Sequence, residues 1–251
     1  MSRRVEPVPG TMVWVVLPAY NEEENLPGLL QHLEALGRDD LQVVVVDDGS
    51  TDSTAALAQT WPGPLRPQLV RHPRNLGLGR AVDTGLRYVL EQASPEHVVV
   101  TLDADGSHLP VQIPELVAAV ERGADLAIAS RYRRGARVKG VPAVRRFLSF
   151  GARLLLTALF PIPGVRDYTC GFRAYRAELL RKAVERYGDR LVESQGFAVT
   201  AELLLKLRPL RPTVEEVPIV LRYDLKRGRS KLPPVRTIRQ YLRMMLNLLG
   251  R

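Results

Sequence analysis

Cysteine is almost missing from this chain: Cys170 stands alone among 251 residues. No intrachain disulfide can form, and such usage fits a cytosolic setting. Long apolar runs are missing too. None reaches the roughly 20 residues that a membrane-spanning helix needs. Met1-Ser2-Arg3-Arg4 lacks the apolar centre of a signal peptide. Zinc-finger spacing, a basic zipper and an aromatic RNA-binding signature are absent, which puts nucleic acid behind other partners. The phosphate-cradling G-x-x-x-x-G-K-S/T loop is absent, and Gly77-Leu78-Gly79 lacks the third glycine of a dinucleotide fingerprint. A nucleotide held by this chain needs another device.

What is present is an ordinary globular composition, 45% hydrophobic and 25% charged, at a length that suits one α/β domain. The formal net charge of +9 points to an anionic partner, either a membrane surface or a phosphorylated substrate. Residues 1–11 read as a loose arm. Val13–Leu17, Leu41–Val46 and Val98–Leu102 are β-branched runs of the kind that form buried parallel strands. Gln68–Arg71 and Asp125–Ala129 read as shorter strands. Between them, Leu26, Leu29, Leu30 and Leu33 predict a helix over Glu23–Leu36, stopped by Gly37. Further helices are expected near Asp52, capped by Ser50 or Thr51, and over Arg80–Gln92 and Ile113–Arg122. This alternation predicts an α/β fold, a mostly parallel sheet with helices on both faces.

The second half reads differently. Arg133–Val141 is basic and reads as a mobile loop. Pro142–Leu159 reads as a helix with Arg145, Ser149 and Arg153 on one face and Leu148, Ala152, Leu155 and Leu159 on another. Ala201–Leu207 reads as helix, Thr213–Leu221 as a return strand, and Lys226–Lys231 as a basic loop. Residues 233–251 form a C-terminal amphipathic helix after a main domain over 12–232.

Three of the early strands end in polar clusters on one rim: Tyr20/Asn21/Glu22, Asp47/Asp48 and Asp103/Asp105. Alternation along an extended chain puts Asp103 and Asp105 on one side. Two hard oxygen ligands there invite Mg²⁺ or Mn²⁺, cations that often carry substrate phosphates. A plain turn after a strand is the competing reading. His108 is read as a loop residue, with metal ligation as the less favoured alternative.

Taken together, Leu17-Pro18-Ala19-Tyr20-Asn21-Glu22, Val46-Asp47-Asp48-Gly49-Ser50, Asp103-Ala104-Asp105 and Ser130-Arg131-Tyr132 resemble the family-two glycosyltransferases of GT-A fold. Arg145–Ser149, Asp167–Tyr175 and Gly228-Arg229-Ser230-Lys231 resemble dolichol-phosphate mannosyltransferases and their bacterial polyprenyl-phosphate relatives. The resemblance implies nucleotide-sugar contacts at Pro18, Tyr20, Glu22, Val46, Asp48, Asp103, Ala104, Asp105, Arg131, Lys226 and Lys231. It implies a metal on Asp103 and Asp105, and a catalytic set of Asp105, Arg131, Arg145 and Ser149, the last two gripping a lipid phosphate. The chain departs from the pattern at Ser107, where many relatives carry Gln, and at Leu225, where many carry Arg.

The implied activity is inverting transfer of a sugar, mannose from GDP-mannose, to a polyprenyl phosphate, with a UDP-sugar donor as the alternative. The implied setting is the cytoplasmic face of a membrane, reached through amphipathic helices or through a membrane-anchor subunit. Nucleic acid is not an expected partner. A sugar-nucleotide pyrophosphorylase would need a Gly-rich N-terminal loop that Pro18–Glu22 does not offer. A non-enzymatic basic membrane-binding module leaves the carboxylate rim unexplained.

Overall fold

The computed structural model describes residues 10–227 and 234–249, apart from the side chains of 144, 145 and 234–236. The first apolar run forms β1 (Val13–Ala19), followed by α1 (Leu26–Glu34), β2 (Leu41–Asp47), α2 (Thr54–Gln59), β3 (Gln68–Arg71) and α3 (Leu78–Gln92). Next come β4 (Val98–Thr101), α4 (Ile113–Glu121), β5 (Leu126–Ser130), β6 (Arg137–Lys139) and α5 (Ala143–Leu159). The chain continues through β7 (Arg173–Arg176), α6 (Ala177–Tyr187), α7 (Val199–Leu207), β8 (Val214–Pro218), β9 (Val220–Arg222) and α8 (Pro234–Leu249).

The main sheet has the order β3-β2-β1-β4-β7-β5-β8. Only β7 runs antiparallel to its neighbours. Every residue of β4 and β5 is buried, so the middle of the sheet is covered on both faces. That is why these strands read as short, nearly continuous apolar runs. On α1, Leu26, Leu29, Leu30 and Leu33 are all buried. Truncating one of them to Ala costs about 2–5 kcal/mol. On α3, Gly85 lets the helix sit down on the sheet: a Cβ there would press on Val16 and Val46.

Strand order reverses between β1 and β4, because β2 lies on one side of β1 and β4 on the other. In open α/β sheets, ligands bind beyond the carboxyl ends of the strands at such a switch point. Here those ends carry Tyr20–Glu22, Asp47–Asp48 and Asp103–Asp105.

Several expectations need correction. Helix α1 starts at Leu26 rather than Glu23, because Glu22 to Asn25 form a turn that presents polar groups to the rim. Neither Ser50 nor Thr51 caps α2. The Ser50 hydroxyl accepts the Asn21 N–H at 2.9 Å, and the Thr51 N–H donates to Asn21 at 2.9 Å. Arg133–Val141 is not simply a mobile loop, for it contains β6, which pairs in parallel with β9. The single return strand is two, β8 and β9, each in a different sheet. Both β7 and α6 were unforeseen. Of the expected arm, residues 1–9 lie outside the described residues, and Thr11 is already buried.

Candidate active site

Strand β4 stops at Thr101, and the chain turns at Ala104-Asp105. Asp103 and Asp105 are therefore brought together by a turn beyond the strand, not by extended alternation. Thr101 fixes the strand end by donating its hydroxyl to the Gly171 carbonyl at 2.7 Å. Ser107 donates both its hydroxyl and its N–H to Asp105 Oδ1, at 2.6 and 3.0 Å. It orients the carboxylate. The other oxygen of Asp105, Oδ2, lies 2.6 Å from Lys226 Nζ.

The two carboxylates differ. Burial pushes the Asp103 carboxyl up; nearby His108 pulls it down, Asp105 pushes further, and the balance stays raised. Burial also opposes ionisation of Asp105, but the Lys226 ammonium, with bonds from Lys226 and Ser107, outweighs it and leaves the group below the usual range. His108 does lie in the loop after β4, but it is not solvated. It is buried, packs its ring 5.3 Å from Phe172, and holds Nδ1 3.9 Å from Asp103 Oδ2. That nitrogen has no hydrogen-bond partner among the described residues.

Hard carboxylate oxygens beside a buried ring nitrogen lacking a partner suit a divalent cation such as Mg²⁺ or Mn²⁺. Among the described residues, no group of three or more His, Cys, Asp or Glu converges as a complete cage. Any such cation takes further ligands from outside the protein, as Mg²⁺ commonly does from phosphates.

Two cavities meet at this acidic pair. One, of about 380 Å³, is lined by Pro18, Tyr20, Glu22, Asp48, Ala104 and Lys226, among others. Its walls are built carefully. Asp48 accepts the N–H groups of Leu76 and Gly77 at 2.9 and 2.8 Å, and His72 Nδ1 sits 2.7 Å from the same carboxylate. Glu22 is buried; its N–H donates to Thr54 and its Oε2 accepts from Asn25. Gly77 adopts φ +95°, and a Cβ on Gly77 or Gly79 would overlap the carbonyl oxygens of Gln195 or Ser194. These glycines thus admit the 194–196 segment against the cavity rather than cradling a phosphate. Val46 is placed elsewhere: it is fully buried in the core, where its backbone pairs β2 with β1 and β3.

The second cavity, about 410 Å³, runs from Asp103, Asp105, His108 and Arg131 to an apolar end between α5 and α8. Leu148, Ala152 and Leu155 face it from α5, and Ile238, Leu242 and Met245 from α8. Arg131 guards its polar end. The guanidinium donates to both oxygens of Asp167 at 2.8 and 2.6 Å, and also to Thr169. Its Nη1 lies 3.4 Å from Ser149 Oγ, so two expected catalytic residues are neighbours. Arg145 belongs to α5 with its side chain outside the described residues, and Lys231 also lies outside them. Arg153 stacks over the Tyr132 ring at 4.4 Å instead of lying on a solvated face.

The expected apolar faces thus share this cavity, and parts of both helices stay open to solvent. On α5 it is Leu156 that is buried, while Phe147, Phe150, Leu154, Leu155 and Leu159 are exposed. On α8, Met244 and Met245 are buried, while Ile238, Leu242, Leu246 and Leu249 are exposed.

Residues 14–184 match the family described as Glycosyl transferase family 2. The chain belongs to this family. The family-two glycosyltransferase is 37% identical over 217 residues to a polyprenol monophosphomannose synthase of Mycolicibacterium smegmatis, covering 86% of this chain and 78% of that protein. It is 36% identical over 239 residues to a dolichol-phosphate mannosyltransferase of Pyrococcus furiosus, covering 94% of this chain but 63% of that longer protein. Its fold matches a crystal structure of glucosyl-3-phosphoglycerate synthase from Mycobacterium tuberculosis in complex with Mn²⁺, uridine-diphosphate-glucose and phosphoglyceric acid. That match has a TM-score of 0.68 and 26% identity, over 96% of this chain and 80% of the other.

Asp167, His72 and the 195–197 segment were not among the expected site residues. Asp167 opens a motif visible in the sequence, yet its partner Arg131 lies 36 positions away. The 195–197 segment carries no pattern of its own.

Proposed function

We propose that this glycosyltransferase moves mannose from GDP-mannose to a polyprenyl phosphate, with inversion, using Mg²⁺ or Mn²⁺ held by Asp103 and Asp105. The meeting of a polar cavity and an apolar-ended cavity at one acidic pair carries this reading. A nucleotide sugar suits the first and a lipid phosphate suits the second. The names of the relatives from M. smegmatis and P. furiosus support the same acceptor class.

The nucleoside lies against Pro18, Tyr20, Glu22 and Asp48. The acceptor phosphate enters beside Arg131 and Ser149, with its chain along α5 and α8. With a second pKa of about 6, a phosphate monoester is already largely dianionic at neutral pH. Its oxygen attacks the anomeric carbon as the bond to the nucleoside diphosphate breaks, so the protein needs no strong base. Attack from the face opposite the leaving group inverts the centre. Positioning and charge stabilisation are the remaining tasks. Arg131 and Lys226 supply fixed positive charge, and a bound cation supplies Lewis-acid neutralisation of the leaving diphosphate.

The acceptor implies a membrane surface. No helix among the described residues is long and apolar enough to cross a membrane. The exposed apolar side chains of α5 and α8, with the net charge of +9, support a peripheral position at the cytoplasmic face. A membrane-anchor subunit is the alternative route. A UDP-sugar donor is the second reading, favoured by the uridine-diphosphate-glucose in the matching crystal structure.

The test is transfer from GDP-mannose and from UDP-glucose to undecaprenyl phosphate in vesicles, with Mn²⁺ or EDTA, read by mass spectrometry. A mannosylated lipid formed only with metal is the expected result. A glucosylated lipid replaces the donor, and no product from either overturns the proposal.

A further inference from the structure

The contact between Lys226 and Asp105 has a direction. Lys226 extends from a segment fastened on both sides. Before it, the Arg222 N–H donates to the Ser107 carbonyl at 2.9 Å. After it, Arg227 exchanges backbone bonds with the Asn25 side chain, at 3.0 Å to Oδ1 and 3.3 Å from Nδ2. Asn25 in turn donates to Glu22 in the polar cavity. The backbone around Lys226 is thus held, and the freedom that remains lies in its four-carbon stem. The ammonium, with 11% of its side chain exposed, sits against Asp105 Oδ2, on the oxygen that Ser107 leaves open.

We infer that Lys226 is the resident counter-ion of the metal seat, and that it exchanges Asp105 for the donor's diphosphate when a divalent cation enters. This rests on the reading of Asp103 and Asp105 as the cation site. The charges argue for exchange. Lys226 holds one oxygen of Asp105 at 2.6 Å and Ser107 holds the other at 2.6 Å, so a cation reaches this carboxylate only by displacing a resident partner. A divalent ion arriving alone faces Lys226 at close range in a partly desolvated cavity, where repulsion is strong. A diphosphate arriving with it gives the ammonium a new anionic partner along the same wall, because Lys226 lines both cavities. Lys226 therefore weakens binding of the bare cation and strengthens binding of the cation with a nucleoside diphosphate. The device keeps the acidic pair from holding a metal before the donor is present.

The experiment is a Mn²⁺ titration followed by the electron paramagnetic resonance signal of the free ion. Wild type, Lys226→Gln, Lys226→Arg, Lys139→Gln and Asp105→Asn are compared, each alone and with GDP or UDP. Lys139 pairs with Asp224 on the exposed β6 and controls for net charge. Without nucleotide, Lys226→Gln is expected to bind Mn²⁺ about tenfold tighter than wild type, while Lys226→Arg and Lys139→Gln stay close to wild type. The gain in Mn²⁺ affinity on adding a diphosphate, of the order of 5- to 150-fold for typical couplings, is expected to shrink in Lys226→Gln. Equal Mn²⁺ affinity of wild type and Lys226→Gln, or an undiminished coupling, overturns the inference while leaving the metal site standing. Mn²⁺ binding that survives Asp105→Asn overturns the metal site and this inference together.

Discussion

His72 Nδ1 lies 2.7 Å from Asp48 Oδ1, and its Nε2 lies 3.0 Å from the Thr84 hydroxyl. The ring is buried and links the end of β2 to α3. Asp48, held by His72 and two backbone N–H groups, has no freedom to turn away from the polar cavity. His72→Ala removes one buried partner, a loss of about 1–3 kcal/mol. The expected outcome is a donor KM raised by roughly tenfold with kcat changed less, read from initial rates. His72→Gln, which keeps a hydrogen bond to Asp48, is expected to recover part of the loss.

Asp105→Ala removes a proposed cation ligand and the partner of Lys226. Losing one preorganised charge-stabilising group commonly costs about 10²- to 10³-fold in kcat. Transfer assays across a Mn²⁺ series check this. Full turnover of the variant with metal present defeats the metal role.

Asp167 is fully buried against Arg131 and also accepts the N–H groups of Arg131, Thr169 and Cys170. Asp167→Ala leaves the guanidinium without its buried partner, and urea unfolding at pH 7 is expected to show a loss of about 3–5 kcal/mol. Burial opposes ionisation of Asp167, but Arg131 and these bonds prevail and leave its carboxyl below the ordinary 3.8. A depressed carboxyl contributes stability above its unfolded pKa and loses it as pH falls through the folded value. The gap between wild type and Asp167→Ala is thus constant near neutrality and narrows below about pH 4.

Phe147 and Leu246 are 76% and 70% exposed, on α5 and α8 respectively. Replacing both with Ser is expected to leave the melting temperature nearly unchanged, since surface substitutions usually stay within about 0.5 kcal/mol. Retention on anionic vesicles at low salt is expected to fall by roughly two to four orders of magnitude, at roughly 1.5–3 kcal/mol for each of the two inserted side chains. Unchanged retention refutes the membrane role of these helices.

Cys170 is buried, and burial, reinforced by Asp167, pushes its thiol up to about 12 despite Arg131. The thiolate is the reactive form. Iodoacetamide at pH 8 is expected to leave the folded protein unmodified and to label it once in urea, as mass spectrometry will show.

Much of this architecture is legible from one sequence because the central strands are continuous apolar runs and their ends carry the chemistry. Val98–Val100 and Asp103–Asp105 are the clearest case. Strand β7 is not legible in the sequence because Arg173-Ala174-Tyr175-Arg176 carries a charge at each end. Arg173 is nonetheless fully buried, its guanidinium donating to the carbonyls of Thr200 and Tyr168. Strands β6 and β9 are three residues each and lie far apart in the chain, so local periodicity does not reveal their pairing. The glycines at 77 and 79 were visible as a motif, but their reason is the approach of residues 194–196 from more than a hundred positions away. The Arg131–Asp167 pair was hidden in the same way.

The central antiparallel strand sets the order of assembly. Strand β4 finds its second neighbour only when β7 arrives, more than seventy residues later, and β5 needs the same strand. On the ribosome, the first half emerges with an open apolar edge at β4, the kind of edge that templates aggregation. Contacts so distant along the chain also slow folding. A truncation before Gly171 therefore does not release a smaller working enzyme; it leaves an unfinished sheet, and it leaves Thr101 without the carbonyl that braces the end of β4.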